Sequence, residues 1–302
     1  MTFALDASPL AAAPGGIARY TAELHRALAL EYPGHRFELW PPERRLWWSC
    51  GLPLRLYRDG VALFHGTDFS VPYLPVRPAV MTVHDLSPWR AEFAHATSTR
   101  VRRRTPWLLR LGLAARVITP TEAIRGEVIS RFGLAPERVR AVPLGVSREP
   151  AAVERSDFFL VVGSGVRKNV GLARAAVPGD VPLRIVNADA SEEDLTRLYS
   201  AARALLIPSL YEGFGLPALE AMACGTPVLA SRDAALREVC GGAALHLDVQ
   251  DVKGWREAVE AIRTQPELWN RLSEAGRKRA RLFTWRRTAR ETFAVYREAL
   301  HG

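Results

Sequence analysis

Two glutamates, Glu212 and Glu220, bracket the segment of this 302-residue chain with the richest chemical content, Pro208-Ser-Leu-Tyr-Glu-Gly-Phe-Gly-Leu-Pro-Ala-Leu-Glu-Ala-Met-Ala-Cys-Gly225. Gly213 and Gly215 permit a sharp turn and close approach of backbone to a ligand, and Pro217 suits the first turn of a helix. The free amides of such a turn form a site for an anion such as a phosphate. The helix expected from Pro217 to Cys224 is apolar on every side except at Glu220, which marks it as buried. A buried carboxylate needs hydrogen-bond donors. The two hydroxyls of a ribose would supply them, as they do for the acidic residue of dinucleotide folds. Arginines of a folded core are the alternative partners for both glutamates. Glu212, in the loop, would lie a sugar's length nearer the linked phosphates.

Such a segment needs a strand before it and a helix after it, and that pattern runs through the whole chain. Apolar runs predict strands at Phe3–Leu5, Phe37–Leu39, Val61–His65, Val80–Val83, Arg116–Thr119 and Val139–Val142. Helices fall between them, one over Ile17–Leu30 after Pro14-Gly15-Gly16 and one over Thr121–Phe132, opened by a capping Thr and stopped at Gly133. Pro143–Ser156, with two prolines, a glycine and several charges, reads as a linker. Strands resume at Phe158–Val162, Leu183–Val186, Ala204–Ile207, Pro227–Ala230 and Ala244–Leu247, and a helical tail begins near Val252. The expected class is α/β, with two doubly wound, Rossmann-like domains facing across a cleft, and with ligands at the carboxyl ends of the strands.

Composition bounds the function. With 48% hydrophobic and 24% charged residues, the chain is globular, and its length suggests two domains. Three cysteines without a Cys-x-x-Cys pair exclude a disulfide framework and a structural zinc. No run is long enough to span a bilayer and no signal peptide is evident, so a cytoplasmic protein is expected. Residues 1–150 hold 20 basic and 13 acidic side chains, against 21 and 19 in the remainder. That excess reads either as a bias toward arginine or as a surface for an anionic partner. The segment Glu43–Arg58, with exposed-looking Trp47 and Trp48, and the cluster Arg100–Arg104 suit an anionic membrane or a lipid diphosphate, unless the tryptophans join the core. No nucleic-acid reading motif accompanies the charge, and no nucleic-acid partner is expected.

The run Glu212-Gly-Phe-Gly-Leu-Pro-Ala-Leu-Glu220, followed by Ala-Met-Ala-Cys-Gly-Thr-Pro-Val228, resembles the paired-glutamate motif of the retaining glycosyltransferases of family 4, the mannosyltransferase-like group 1 enzymes of GT-B fold. Further similarities run in order along the chain: Gly-Gly-Ile-Ala-Arg-Tyr (15–20), His-Gly-Thr-Asp (65–68), Thr-Val-His-Asp-Leu (82–86), Val-Ile-Thr-Pro-Thr-Glu (117–122), Val-Pro-Leu-Gly-Val (142–146), Arg-Lys-Asn (167–169) and Phe-Thr-Trp (283–285).

The resemblance implies an N-terminal acceptor-side domain at 1–150, a nucleotide-sugar-binding domain at 151–283, and a C-terminal helix at 284–302 packing back on the first. It implies transfer of a hexosyl group from a GDP- or UDP-sugar to an acceptor hydroxyl with retention, in polysaccharide or glycolipid synthesis; a nucleotide-sugar-binding protein without transfer is the alternative. Glu220 would hold the ribose and Glu212 the donor sugar. Gly213, Phe214, Gly215 and Leu216 would hold sugar hydroxyls and the distal phosphate through their backbone. Lys168 and Arg167 would neutralise the diphosphate leaving group. Gly15 and Gly16 would offer amides to the phosphates, and His84 would touch the donor sugar near the reacting carbon. His65 and Asp68 are assigned to the acceptor side. No metal or other cofactor is expected, since no Asp-x-Asp occurs. A glycan or lipid-linked acceptor and peripheral contact with an anionic membrane complete the expectation. The loop Gly163–Lys168 is about two residues short of the family spacing and carries Ser164 where some relatives have a base.

Overall fold

The computed structural model of the chain describes residues 1–11, 15–42, 46–93, 98–187 and 190–301. These form two compact units, Met1–Gly145 with Trp285–Gly302, and Val146–Thr284.

The first unit is built on six parallel strands, β1 (Thr2–Asp6), β2 (Arg36–Trp40), β3 (Leu63–Gly66), β4 (Ala79–Thr82), β5 (Arg116–Thr119) and β6 (Val139–Ala141), in the order β2-β1-β3-β4-β5-β6. Its helices include α1 (Gly16–Glu31), α2 (Leu52–Arg58), α3 (Thr99–Arg110) and α4 (Glu122–Phe132). β3 and β4 are buried at every residue, as expected for strands covered by helices on both faces. α4 starts where Thr121 Oγ1 accepts from the Ile124 amide at 3.2 Å, and it ends at Gly133, whose φ of 62° is left-handed.

The second unit carries β7 (Phe159–Val162), β8 (Leu183–Val186), β9 (Ala204–Ile207), β10 (Val228–Ser231) and β11 (Leu245–Leu247), also all parallel, in the order β11-β10-β9-β7-β8. Around them lie α5 (Val170–Ala176), α6 (Glu192–Ala201), α7 (Leu216–Ala223), α8 (Ala234–Cys240), α9 (Val252–Thr264) and α10 (Pro266–Ala280). α7 lacks a polar face because α6, α8 and α10 all touch it. The close approach of α10 depends on Gly276, where a Cβ would come within 3.1 Å of Met222 Cγ. Finally α11 (Trp285–His301) returns to the first unit and packs along α1.

In each sheet the strand order reverses once, between β1 and β3 and between β7 and β9. In open α/β sheets ligands bind outside the carboxyl ends of the strands at such a switch point.

Candidate functional site

The turn leaving β7 and the turn leaving β9 meet at the second sheet's switch point, where the Leu210 amide donates to the Arg167 carbonyl at 2.9 Å. Gly163, with a φ of +98°, lets the stem of Lys168 lie across the first turn; a Cβ there would come within 3.0 Å of Lys168 Cε. The Lys168 ammonium thereby reaches Glu212 Oε1 at 2.6 Å, and Ser209 Oγ donates to the same oxygen at 2.8 Å. Glu212 is only 6% exposed. Burial raises its pKa, but the charges of Lys168 and Arg167 and the hydrogen bonds from Lys168 and Ser209 outweigh burial and hold it below the ordinary carboxylate value. The ion pair's contribution is therefore complete above the usual carboxylate range and is lost as pH falls through the depressed value.

Gly213, Phe214 and Gly215 follow, all buried. Gly215 adopts a φ of +95° with its Cβ position 2.5 Å from Leu236 Cδ2, so a larger residue there would be strained and would displace Leu236. It leads into α7 with no side chain capping the helix. Asp233, which caps α8 through the amides of Ala235 and Leu236, also accepts from the Glu212 amide at 3.3 Å. Ser209 and Asp233 escape a sequence reading because serine and aspartate at loop ends are common caps.

Glu220 is 4% exposed. The Tyr199 hydroxyl donates to its Oε2 at 2.8 Å, and the Arg148 guanidinium lies 3.1 Å from its Oε1. Arg148 also pairs with Glu192 at 2.8 Å and donates to Thr196 Oγ1 at 2.5 Å. Of the two partner classes expected for this carboxylate, the core arginine is thus realised, whereas Glu212 has a lysine. Arg148 comes from the linker, where its sequence surroundings give no sign of a buried partner.

In the first unit, Gly15 precedes α1 in extended conformation and no side chain caps the helix that Gly16 begins. Pro14, just ahead, lies outside the described residues. His84, half-buried after β4, is hydrogen-bonded from Nε2 to the Thr67 carbonyl at 2.8 Å. A carbonyl only accepts, so Nε2 carries the hydrogen and Nδ1 is the ring's other polar atom. Tyr20 packs edge-on against the ring. Asp68 is half-buried, and its Oδ1 is enclosed without a hydrogen-bond partner among the described residues. Burial raises its pKa.

The acceptor-side assignment of His65 is corrected by its surroundings. The ring is wholly buried, with Nδ1 bonded to the Tyr296 hydroxyl at 2.7 Å and Nε2 to Thr82 Oγ1 at 2.8 Å, so neither nitrogen remains for a ligand. Burial, assisted by the nearby His84 charge, lowers its pKa to about 3. Of the two readings left open for the tryptophans, the core one holds for Trp47. Trp47 is 3% exposed and Trp48 half-buried against Phe64. Glu43, Arg44 and Arg45 lie outside the described residues. No helix among the described residues is long and apolar enough to cross a membrane.

Known proteins share this architecture and sequence. Residues 184–279 match the family described as glycosyl transferases group 1, and residues 30–149 match glycosyltransferase family 4. The O-antigen chain mannosyltransferase B of Escherichia coli is 31% identical over 313 residues, covering 86% of this chain and 79% of that enzyme. The MMP alpha-(1->4)-mannosyltransferase of Mycolicibacterium hassiacum is 32% identical over 67% of this chain, which spans only 56% of that enzyme. Sucrose-phosphate synthase from Thermosynechococcus elongatus shares the fold, with a TM-score of 0.78 at 21% identity over 99% of this chain and 98% of that one. Two Rossmann-like units of parallel sheet, with these matches across both, make this chain a member of the group 1, family 4 glycosyltransferases of GT-B fold.

Proposed function

We propose that the chain transfers a hexosyl group, mannosyl in the closest chemical analogy to the two mannosyltransferases above, from a GDP- or UDP-sugar to a hydroxyl of a glycan or lipid-linked acceptor. The anomeric configuration is retained and no metal is required. The Lys168–Glu212 pair at the β7/β9 switch point carries the reading. An ammonium has three donors, so Lys168 can hold Glu212 and a diphosphate oxygen together. The donor's C1–O bond breaks with its electron pair going to the diphosphate, the acceptor oxygen bonds C1 on the same face, and the acceptor proton passes to the leaving phosphate oxygen. Lys168, Arg167 and the amides from Gly213 to Leu216 stabilise the charge left on the diphosphate. Glu212 orients the donor sugar. Glu220, held by Tyr199 and Arg148, is assigned to the ribose hydroxyls. Gly15, Gly16 and His84 of the N-terminal, acceptor-side unit are assigned to the donor and Asp68 to the acceptor.

The test is nucleotide release from a panel of UDP-, GDP- and dTDP-sugars in excess chelator. One donor should release nucleotide and give a product with its anomeric configuration kept. Activity abolished by chelator and restored only by a divalent metal would refute the mechanism. In the same buffer, donor should bind Glu220→Gln about tenfold more weakly, the worth of one charge-assisted hydrogen bond; equal affinity would remove Glu220 from the ribose.

The acceptor is proposed to be presented at an anionic membrane surface. Arg100, Arg103, Trp107, Arg110 and Leu111 share one helical face of α3 and its end, and all are exposed, Trp107 by 63% and Leu111 by 66%. This face carries no acid. Each arginine near such a surface contributes about 1 kcal/mol. The chain should sediment with vesicles rich in anionic lipid and be released by salt, while Arg100→Glu/Arg103→Glu/Arg110→Glu should stay in the supernatant. Sedimentation indifferent to these changes would exclude the surface.

A further inference from the structure

A groove of about 1080 Å³ opens in the first unit between the turn that leaves β4, α3 and α4. That is slightly above the range, about 300–1,000 Å³, in which proteins hold small ligands. Its base is aromatic. Trp89 meets Phe132 edge-on with ring centroids 5.2 Å apart, and Phe69 packs against Trp89 at 5.8 Å. Held between these rings, the half-buried indole is a fixed platform of the kind that suits the C–H face of a pyranose.

Charge around the platform is unbalanced. Among the described residues, Arg90 from the turn, Arg102 from α3 and Arg131 from α4 line the groove against one carboxylate, Glu127. Arg90 is paired with Glu127 at 3.3 Å, which leaves Arg102 and Arg131 as the excess charge on the groove wall. The Arg131 guanidinium lies 5.7 Å from the Trp89 ring centroid, and Arg102 and Arg131 are exposed. A concave wall with a net positive charge favours an anion.

Gly126 supplies an independent indication. It stands in the interior of α4, exposed, on the groove wall. Glycine weakens a helix interior relative to alanine. Packing does not require it here, since an added Cβ would meet nothing within 4 Å. The space kept open by the missing side chain belongs to the groove.

We propose that this groove is an acceptor subsite for an anionic sugar residue, a pyranose bearing a phosphate or a carboxylate, stacked on Trp89 and held by Arg102 and Arg131. The inference rests on the glycosyltransferase reading, and it places the residue on the turn that begins at His84. Substrate selection then lies in the first unit: neutral chains lack the charge, and inorganic phosphate lacks the ring.

Calorimetric titration of the full chain with glucose 6-phosphate, glucuronate, glucose and inorganic phosphate tests it without turnover. Both anionic sugars should bind saturably, at least tenfold more tightly than either glucose or phosphate. Gly126→Leu should unfold at or above the wild-type temperature while losing the binding, because its Cβ meets nothing within 4 Å, leucine favours a helix interior over glycine, and the rest of the side chain occupies the groove. Arg102→Ser/Arg131→Ser should weaken it at least tenfold. Absence of binding, equal affinity for glucose, equal affinity for phosphate, or binding that survives in Gly126→Leu would each overturn the proposal. Nucleotide release by the wild-type chain, followed separately, reports on the transferase reading alone. Anionic vesicles added to the titration separate a lipid headgroup from a sugar: competition by vesicles in the Arg100→Glu/Arg103→Glu/Arg110→Glu variant would assign the groove to lipid and overturn the sugar assignment.

Discussion

Replacing Lys168 by alanine should lower the rate of glycosyl transfer by about 10²- to 10³-fold, the usual loss when one preorganised charge-stabilising donor is removed. The same substitution should also destabilise the protein, because Glu212, 6% exposed, would lose the cation 2.6 Å away. Breaking a buried pair from one side costs about 3–5 kcal/mol, whereas removing both partners costs much less. The double substitution Lys168→Ala/Glu212→Ala separates the two effects. Its resistance to urea should recover most of what Lys168→Ala loses, but its kcat should stay at or below that of Lys168→Ala. If the double variant regained activity along with stability, Lys168 would be a structural partner of Glu212 and the leaving-group assignment would fail. Lys168→Arg should keep the fold and part of the rate, since the charge persists on a planar, longer group that cannot occupy the same position over Gly163.

The second large effect concerns acid and comes from His65. Unfolded, this histidine titrates near 6.5; folded, burial lowers it to about 3. Between those values the unfolded chain binds a proton that the native chain refuses, so stability rises with pH from 3 to 6.5 and is full above 6.5. The slope approaches ~1.4 kcal/mol per pH unit in the middle of that window, and several kcal/mol accumulate across it. His65→Gln can still give and accept a hydrogen bond toward Thr82 and Tyr296 but cannot titrate. Urea unfolding followed over this pH range should therefore show a shallower acid dependence for the variant by up to one proton. Parallel curves for the two proteins would mean that the imidazole is accessible to protons in the folded state.

Much of the fold was legible because parallel strands buried on both faces are written as uninterrupted apolar runs. Arg116–Thr119, Leu183–Val186 and Ala204–Ile207 form strands with the expected limits, and Thr121 and Gly133 bound α4 as a cap and a left-handed stop should. Legibility declined where the outcome depended on partners distant in the chain. His65 reads as a strand-end residue at a carboxyl edge; nothing near it announces that Tyr296 will arrive and occupy Nδ1. Trp47 and Trp48 sit among arginines, and only folding shows that Trp47 turns inward while Leu46, Leu54 and Tyr57 remain outside. At Glu220 the need for donors was evident from the apolar helix, but the identity of Arg148, seventy-two positions earlier, was not. Local pattern tells which carboxylate is short of partners. It does not tell which cation the chain will deliver.

The return of α11 to the first unit bears on how this polypeptide matures as it leaves the ribosome. The second unit is contiguous, from Val146 to Thr284, and can close as soon as it emerges. The first has a gap along α1 and around Phe3 and His65 until Phe293 and Tyr296 have been synthesised. The segment made earliest thus finishes last, and for most of translation its aromatic surface is exposed to chaperones.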